Sequence, residues 1–316
     1  MTYQPRRPAR HEKLRIRDLD HRLTFWGAPS DDPIVLLHGW LDSGDTWQFL
    51  VDALPDTWSF VAPDWRGFGG TDWAPGGYWF ADYLADLDAL LDALVPGKPA
   101  RVIGHSMGGN VATLYAGVRP ERLQWVANLE GVGLRPSPAE EAPARYEQWL
   151  DEIRAGAHHG NYGTIEQFAA LLRQRNPRLT PDRAGFIARA WSRPIAASSD
   201  VTRRGRDHDE GVMLVADPRH RWVNPILYRA EEVDACWKRV KIPLLLLLGE
   251  LSEFPGRLGT RGTPEFFHRA FVNLGLATVP GVGHMMHHED PVEVARLVSE
   301  FVSSVERELR DRQPVI

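Results

Sequence analysis

The sequence predicts an α/β protein built on one mostly parallel sheet, and two observations carry that prediction. Short apolar runs alternate with longer amphipathic stretches, which is typical of parallel strands joined by crossover helices. The composition is that of a globular protein, since 43% of the 316 residues are hydrophobic and 25% are charged. A chain of this length can bury a large core.

The first part of the chain alternates between the two kinds of pattern. Its opening runs read as an antiparallel pair of strands, and the later runs are short and apolar, as buried parallel strands are. In the stretch 83–95, Leu84, Leu87, Leu91 and Leu94 recur at helical spacing with acidic residues between them. The predicted strands are 14–19, 21–26, 34–37, 59–62, 101–104 and 124–129, and the predicted helices are 46–54, 83–95 and 108–117.

The strand rhythm stops near Gly133 and resumes at Ile242. Residues 133–235 contain helical stretches broken by prolines, so they are expected to form a helical insertion into one core made of residues 1–132 and 236–316. After the insertion the pattern predicts two more strands and two more helices. The helices of the insertion are 144–155 and 165–174, and the later elements are 242–248, 264–271, 277–279 and a final helix from Pro291.

Charge and cysteine content exclude several classes of function. The net charge of −5 gives no basic surplus for binding nucleic acid. The single cysteine, Cys236, allows neither an internal disulfide nor a multi-thiolate metal site. The first twenty residues lack the apolar stretch of a signal peptide, and no apolar run approaches the length of a membrane span. We therefore expect a soluble, cytoplasmic protein without a membrane partner.

The candidate nucleophile is Ser106, in the sequence Gly104-His105-Ser106-Met107-Gly108. This G-x-S-x-G pattern stands between a predicted strand and a predicted helix, which is the context that a nucleophile elbow needs. The sharp turn leaves no room for side chains on either side, so glycines flank the serine. The turn also aims the hydroxyl at a helix N-terminus, whose free N–H groups favour negative charge.

A serine hydroxyl needs a base, and His284 is the candidate. It follows the last predicted strand, so its loop can reach the edge of the sheet at which Ser106 is expected. His287, His288 and Glu289 follow closely, but the cluster lacks the helical H-E-x-x-H spacing, and no metal or other cofactor is predicted.

A candidate oxyanion hole comes from two backbone N–H groups. The sequence His38-Gly39-Trp40 follows the buried strand at 34–37, so its loop can supply the N–H of Trp40. Met107, the residue after the nucleophile, would supply the second N–H group.

These motifs occur in an order that resembles the α/β-hydrolase fold superfamily, and most of all its serine hydrolase-like proteins. The motifs are His38–Asp42, Asp64–Gly69, Gly104–Gly108 and Gly283-His284. The resemblance covers about residues 20–132 and 236–310. It implies an eight-stranded sheet with helices on both faces and a helical cap inserted after strand six. It also implies that the turn at Asp64–Gly69 is structural.

The acid of the triad departs from the pattern of most relatives. The position expected three residues after Gly249 is Ser252, which carries no negative charge. Glu130, at the end of the sixth strand, is the favoured acid, because some members of the superfamily place the acid there. Glu253 is the alternative acid, and the third possibility is that the triad has no competent acid.

The resemblance and the motifs together predict a serine hydrolase acting on a carboxylic ester, thioester or lactone. Trp40, Trp149, Trp191 and Trp222 would favour a substrate with an apolar acyl or aryl part. Acyl transfer, hydrolysis of a carbon–carbon bond, and ligand binding without turnover remain as alternatives. A homodimer is compatible with the sequence, which does not specify the substrate.

Overall fold

The centre of the fold is an eight-stranded sheet, seen here in a computed structural model that describes residues 2–195 and 211–311. Its strands are β1 (Arg10–Ile16), β2 (Leu19–Trp26), β3 (Ile34–Leu37), β4 (Phe60–Pro63), β5 (Ala100–His105), β6 (Leu123–Leu129), β9 (Leu244–Gly249) and β10 (Leu274–Val279). They lie in the order β1-β2-β4-β3-β5-β6-β9-β10. Strand β2 runs antiparallel to β1 and β4, and the other neighbouring pairs are parallel. The predicted mostly parallel, eight-stranded sheet is confirmed.

Helices cover both faces of the sheet. The helices outside the chain between β6 and β9 are α1 (Gln48–Ala53), α2 (Phe80–Leu94), α3 (Met107–Val118), α8 (Phe254–Arg257), α9 (Pro264–Ala270), α10 (Met286–Glu289) and α11 (Pro291–Asp311). Successive residues of β5 point to opposite faces, so Val102 packs with α2 and α3 while Ile103 packs with α1 and α11. Both faces are therefore buried, which explains why the parallel strands are continuous apolar runs.

The chain between β6 and β9, which we call the β6–β9 segment, contains four α-helices in its described residues, 130–195 and 211–243. They are α4 (Ala142–Ala155), α5 (Ile165–Arg175), α6 (Pro181–Trp191) and α7 (Ala230–Trp237). A small core of this segment joins α5 and α6 to α1, where Phe168 and Ile187 pack in one cluster with Phe49. The domain boundaries at 132 and 235 stay a prediction, and residues 196–210 of the predicted insertion lie outside the described part of the chain.

The β6–β9 segment also contains two short strands that the sequence does not predict. These strands, β7 (Ser192–Pro194) and β8 (Val212–Leu214), pair antiparallel. Pro181 lies in the first turn of α6, where proline's missing N–H has no helical partner to lose.

Within residues 2–195 and 211–311, every helix is too short or too polar to cross a bilayer.

Candidate active site

Ser106 lies at a strained turn between β5 and α3. Its backbone has φ 50° and ψ −113°, a conformation that is costly for a residue other than glycine. The surrounding backbone holds this turn in place, since Ser106 N–H donates to the Leu129 carbonyl at 2.9 Å and its carbonyl accepts from Asn110 N–H at 2.9 Å. The structure thus has the strand–turn–helix context that the G-x-S-x-G pattern predicts.

The glycines on either side of Ser106 are required by close backbone contacts. A Cβ atom on Gly104 would stand 2.7 Å from the Gly108 carbonyl oxygen. A Cβ atom on Gly108 would overlap the Leu37 carbonyl at the end of β3. The helix α3 can therefore begin directly against the sheet only because these side chains are absent.

Glu130 follows β6 and is buried, with a left-handed backbone of φ 57°. Its Oε2 accepts from His284 Nδ1 at 2.6 Å, and its Oε1 accepts from the Gly249 N–H at 2.9 Å. The pairing of β6 with β9 brings these groups together, because Leu129 stands opposite Leu247 and the next residues of both strands leave the sheet side by side. The acid favoured from the sequence is the carboxylate that the structure joins to His284.

Ser252, which takes the usual position of the acid, hydrogen-bonds to Glu130 instead. Its hydroxyl donates to Glu130 Oε2 at 2.6 Å, beside the bond from His284. Glu253 is exposed and pairs with Arg257 at 2.8 Å, one helical turn away. The sequence does not predict that Ser252 bonds to the acid. The one indication it offers is that position 252, where most relatives have the acid, carries no carboxylate.

His284 lies on the loop after β10, with 19% of its side chain exposed. Its carbonyl accepts from His105 Nε2 at 2.9 Å, so the loop is bonded to the residue before Ser106. The ring of Phe254 stacks on the His284 ring, with centroids 4.0 Å apart and planes 15° apart. Phe254, another residue that the sequence analysis missed, thus limits rotation of the imidazole.

The predicted oxyanion loop lies directly against the elbow. A Cβ atom on Gly39 would stand 3.3 Å from Ser106 Cβ and 2.8 Å from His105 Nδ1. Trp40 follows it with half of its surface exposed, and Leu41 has a left-handed φ of 59°. Met107 is the first residue of α3, a position whose N–H has no partner within its own helix.

Asp42, on the oxyanion loop, contacts both α6 and the histidines of α10. Its Oδ1 accepts from Thr46 Oγ1 at 2.6 Å and from Trp191 Nε1 at 2.8 Å. Its Oδ2 faces the Nε2 atoms of His287 and His288 at 3.6 and 3.7 Å. Burial by itself would raise the pKa of Asp42, but the two histidines lower it well below the usual range.

One group of side chains in the described residues has the donor types of a metal site. Asp42, His105 and His287 are all buried, and one ligand atom of each lies within 4.8 Å of the others. His284 and Glu289, which the sequence analysis considered with His287, take part in other contacts. Burial lowers the pKa of His105, so this imidazole stays neutral near pH 7.

Comparisons with known proteins agree with this architecture. The sequence profile of the alpha/beta hydrolase fold family matches residues 32–254. A serine hydrolase-like protein of Danio rerio is 27% identical over 309 residues, covering 95% of this chain and 90% of its own. A putative 2-succinyl-6-hydroxy-2,4-cyclohexadiene-1-carboxylate synthase of Bacillus subtilis is 26% identical over 288 residues, covering 88% of this chain and 93% of its own.

A solved structure shows the same fold at low identity. The thioesterase domain from the curacin biosynthetic pathway superposes with a TM-score of 0.75 and 22% identity, covering 92% of this chain and 99% of its own. The sheet order, the elbow and the match to most of the chain lead to one conclusion: the protein belongs to the alpha/beta hydrolase fold family.

Proposed function

We propose that this protein is a serine hydrolase that cleaves a carboxylic ester, or a related thioester or lactone, through an acyl-enzyme. Ser106 is the nucleophile, His284 the base and Glu130 the acid. The N–H groups of Trp40 and Met107 form the oxyanion hole. Hydrolysis of a small molecule is compatible with membership of the alpha/beta hydrolase fold family.

The observation that carries the proposal is the 2.6 Å bond from His284 Nδ1 to Glu130 Oε2 beside the strained turn at Ser106. A proton on Nδ1 leaves Nε2 with its lone pair, which is the tautomer that a general base requires. The buried carboxylate also stabilises the imidazolium that forms when the base takes a proton. A purely structural histidine would not need this pairing next to a nucleophile elbow.

The proposed reaction has two halves. His284 Nε2 takes the proton of Ser106 Oγ as that oxygen attacks the ester carbonyl, and the tetrahedral oxyanion accepts hydrogen bonds from Trp40 and Met107. The carbon–oxygen bond to the alcohol then breaks, and the alcohol leaves with the proton from His284. Water repeats the sequence on the acyl-enzyme and releases the carboxylic acid.

The substrate is proposed to carry an apolar acyl or aryl part. Trp40, on the oxyanion loop, and Phe254, stacked on His284, expose aromatic surface beside the reacting groups. Residues 133–235 would act as the cap that selects the substrate, over a core of residues 1–132 and 236–316. The proposed mechanism uses no metal or organic cofactor.

Labelling with a fluorophosphonate tests this proposal, because the serine oxygen displaces fluoride from such a probe, and becomes phosphonylated, only when a base and an oxyanion hole activate it. We expect intact-mass analysis to show one adduct on the wild type and none on Ser106→Ala. A panel of p-nitrophenyl esters of increasing acyl length then defines the substrate preference. If folded wild-type protein forms no adduct and cleaves none of the esters, the proposal is wrong.

A further inference from the structure

The β6–β9 segment makes direct polar contacts with α10, the short helix that follows the loop carrying His284. Asn176 and Arg178, between α5 and α6, both bond to the side chain of Glu289, the last residue of α10. The Asn176 Nδ2 atom donates to Glu289 Oε1 at 2.8 Å, and the Arg178 Nε atom donates to Oε2 at 2.5 Å. These contacts involve the segment and not the sheet, so the segment helps to define the loop's position.

Glu289 also bonds to the backbone directly before His284. Its Oε2 also accepts from the N–H of Gly283 at 2.6 Å, and Gly283 is the residue directly before His284. The Glu289 side chain is 1% exposed, whereas Arg178 is 39% exposed. A buried carboxylate that loses its cation is destabilised, so the geometry around Gly283 depends on Arg178.

Two further residues of the segment, Arg183 and Trp191, form three hydrogen bonds to α10 and to Asp42. Arg183, in α6, donates from Nη1 to the carbonyls of His288 and Glu289 at 3.0 and 2.9 Å. Trp191, at the end of α6, donates to Asp42 beside the oxyanion loop at 2.8 Å. Lifting α5 and α6 from the core would therefore leave two buried carboxylates, Asp42 and Glu289, without these donors.

We propose that Asn176 and Arg178 are positioning residues for His284, acting through Glu289. In this arrangement the α5–α6 part of the segment is a fixed support of the catalytic centre and not a lid that opens in each cycle. The inference rests on the proposed function for its kinetic consequences. Its structural consequence, the fixed position of the His284 imidazole, holds without it.

The test compares Arg178→Gln, Arg178→Lys and the control Arg175→Gln with the wild type. Arg175 is an exposed arginine in the last turn of α5, three residues from Arg178. Because small displacements of a catalytic group are costly, we expect Arg178→Gln to lower kcat about tenfold for a short p-nitrophenyl ester while KM changes less than twofold. Arg178→Lys restores the positive charge and should recover part of the loss, and Arg175→Gln should match the wild type.

A second variant separates positioning from general destabilisation. Glu289→Gln removes the charge that needs Arg178, so Arg178→Gln should add little to the effect of Glu289→Gln in the double variant. Additive losses in this double-mutant cycle, or a rise in KM with kcat unchanged, would overturn the inference. Thermal melting of each variant identifies any that fail to fold. If Arg178→Gln is one of them, Asn176→Ala, which removes one neutral donor, replaces it in the cycle.

Proton NMR of the His284 Nδ1–H signal gives a readout that needs no catalysis. The bond to Glu130 shifts this proton far downfield, and the signal is assigned by its loss in His284→Gln. We expect the signal to broaden in Arg178→Gln and to stay sharp in Arg175→Gln. If the fluorophosphonate does not label Ser106 in the wild type but the Nδ1–H signal broadens in Arg178→Gln, the proposed function is rejected and the inference stands. A sharp signal and unchanged kcat in Arg178→Gln would reject the inference alone.

Discussion

The carboxylate of Glu130 accepts three hydrogen bonds in a buried place, from a histidine, a serine and a backbone N–H. A charged acceptor so placed holds the His284 imidazole in one tautomer and one orientation. Glu130→Ala is therefore expected to lower kcat/KM by about 10³–10⁴-fold, as removal of the acid does in triads of this kind. Steady-state kinetics on a p-nitrophenyl ester measure the change.

Glu253→Ala is the matched control, since Glu253 pairs with Arg257 on the surface. We expect its kcat/KM to lie within twofold of the wild type. The opposite pattern, with Glu253 essential and Glu130 dispensable, would contradict the assignment of the acid.

The hydroxyl of Ser252 is expected to support catalysis without taking part in proton transfer. Ser252→Ala removes one donor from a charged acceptor, an interaction worth about 1.5–3 kcal/mol, so kcat/KM should fall about 10- to 150-fold. Ser252→Thr keeps the hydroxyl and should retain most of the activity. A Ser252→Ala enzyme with wild-type kinetics would show that the Gly249 and His284 bonds suffice.

At the scale of single residues, the sequence singles out a candidate nucleophile and a candidate base more readily than a candidate acid. Ser106 and His284 stand in local patterns that contain their own context. The choice between Glu130 and Glu253 depends on the register of β6 against β9, which joins residues more than a hundred positions apart. No local pattern carries that register. The same limit hid the contacts of Asp42 and Glu289, which are made across loops distant in sequence.

Among the elements, the junction of β5 and α3 has the least tolerance for change. The N-terminus of α3 packs on the carbonyl end of β3, and the Cβ atom of an alanine at position 108 would overlap the Leu37 carbonyl oxygen. Gly108→Ala is expected to lower the free energy of unfolding by about 2–3 kcal/mol, as overpacking of a core does. Urea denaturation followed by circular dichroism measures the loss. Gly76→Ala, at a site with no atom within 4 Å, should leave the midpoint nearly unchanged, and equal effects of both substitutions would refute the packing argument.

The sequence predicts elements best where burial makes their pattern regular. The strands β3, β5 and β6 and the helix α11 have continuous apolar runs or a clear helical stripe, and all were predicted within two residues at their starts. The pair β7–β8 was missed because three-residue strands carry no usable period. The start of α6 was missed because Pro181 reads as a breaker unless the helix after it is recognised.

The molecule as a whole buries several neutral histidines, and this gives its stability a dependence on pH. Burial lowers the pKa of His21, His38, His105, His220 and His288. For His220, whose ring stacks between Phe68 and Tyr78, the pKa falls to about 3. The five histidines lie in β2, after β3, at the end of β5, in the β6–β9 segment and in α10, so the effect belongs to the whole fold.

The direction in which the free energy of unfolding changes with pH depends on whether the folded or the unfolded state binds more protons. Below pH 6.5 the unfolded chain protonates these histidines while the folded protein keeps them neutral, so the free energy of unfolding falls as the pH falls. Each such group contributes about 1.4 kcal/mol for each pH unit between 6.5 and its folded pKa. The depressed pKa of Asp42 acts in the same direction but only below about pH 4, where its carboxylate is protonated in the unfolded chain.

Urea titrations at pH 7.5, 6.5, 5.5 and 5.0 test this dependence. We expect little change between pH 7.5 and 6.5 and a steep loss of stability below. His220→Gln removes one of the titrating groups and should make the loss shallower, whereas His268→Gln, at an exposed histidine, should leave the slope unchanged. Because carboxylates of the unfolded chain bind protons mainly below about pH 5, a loss that starts between pH 6.5 and 5.5 identifies the buried histidines as its cause. If the free energy of unfolding stays constant or rises as the pH is lowered from 6.5 to 5.5, the folded protein protonates these histidines at least as readily as the unfolded chain does.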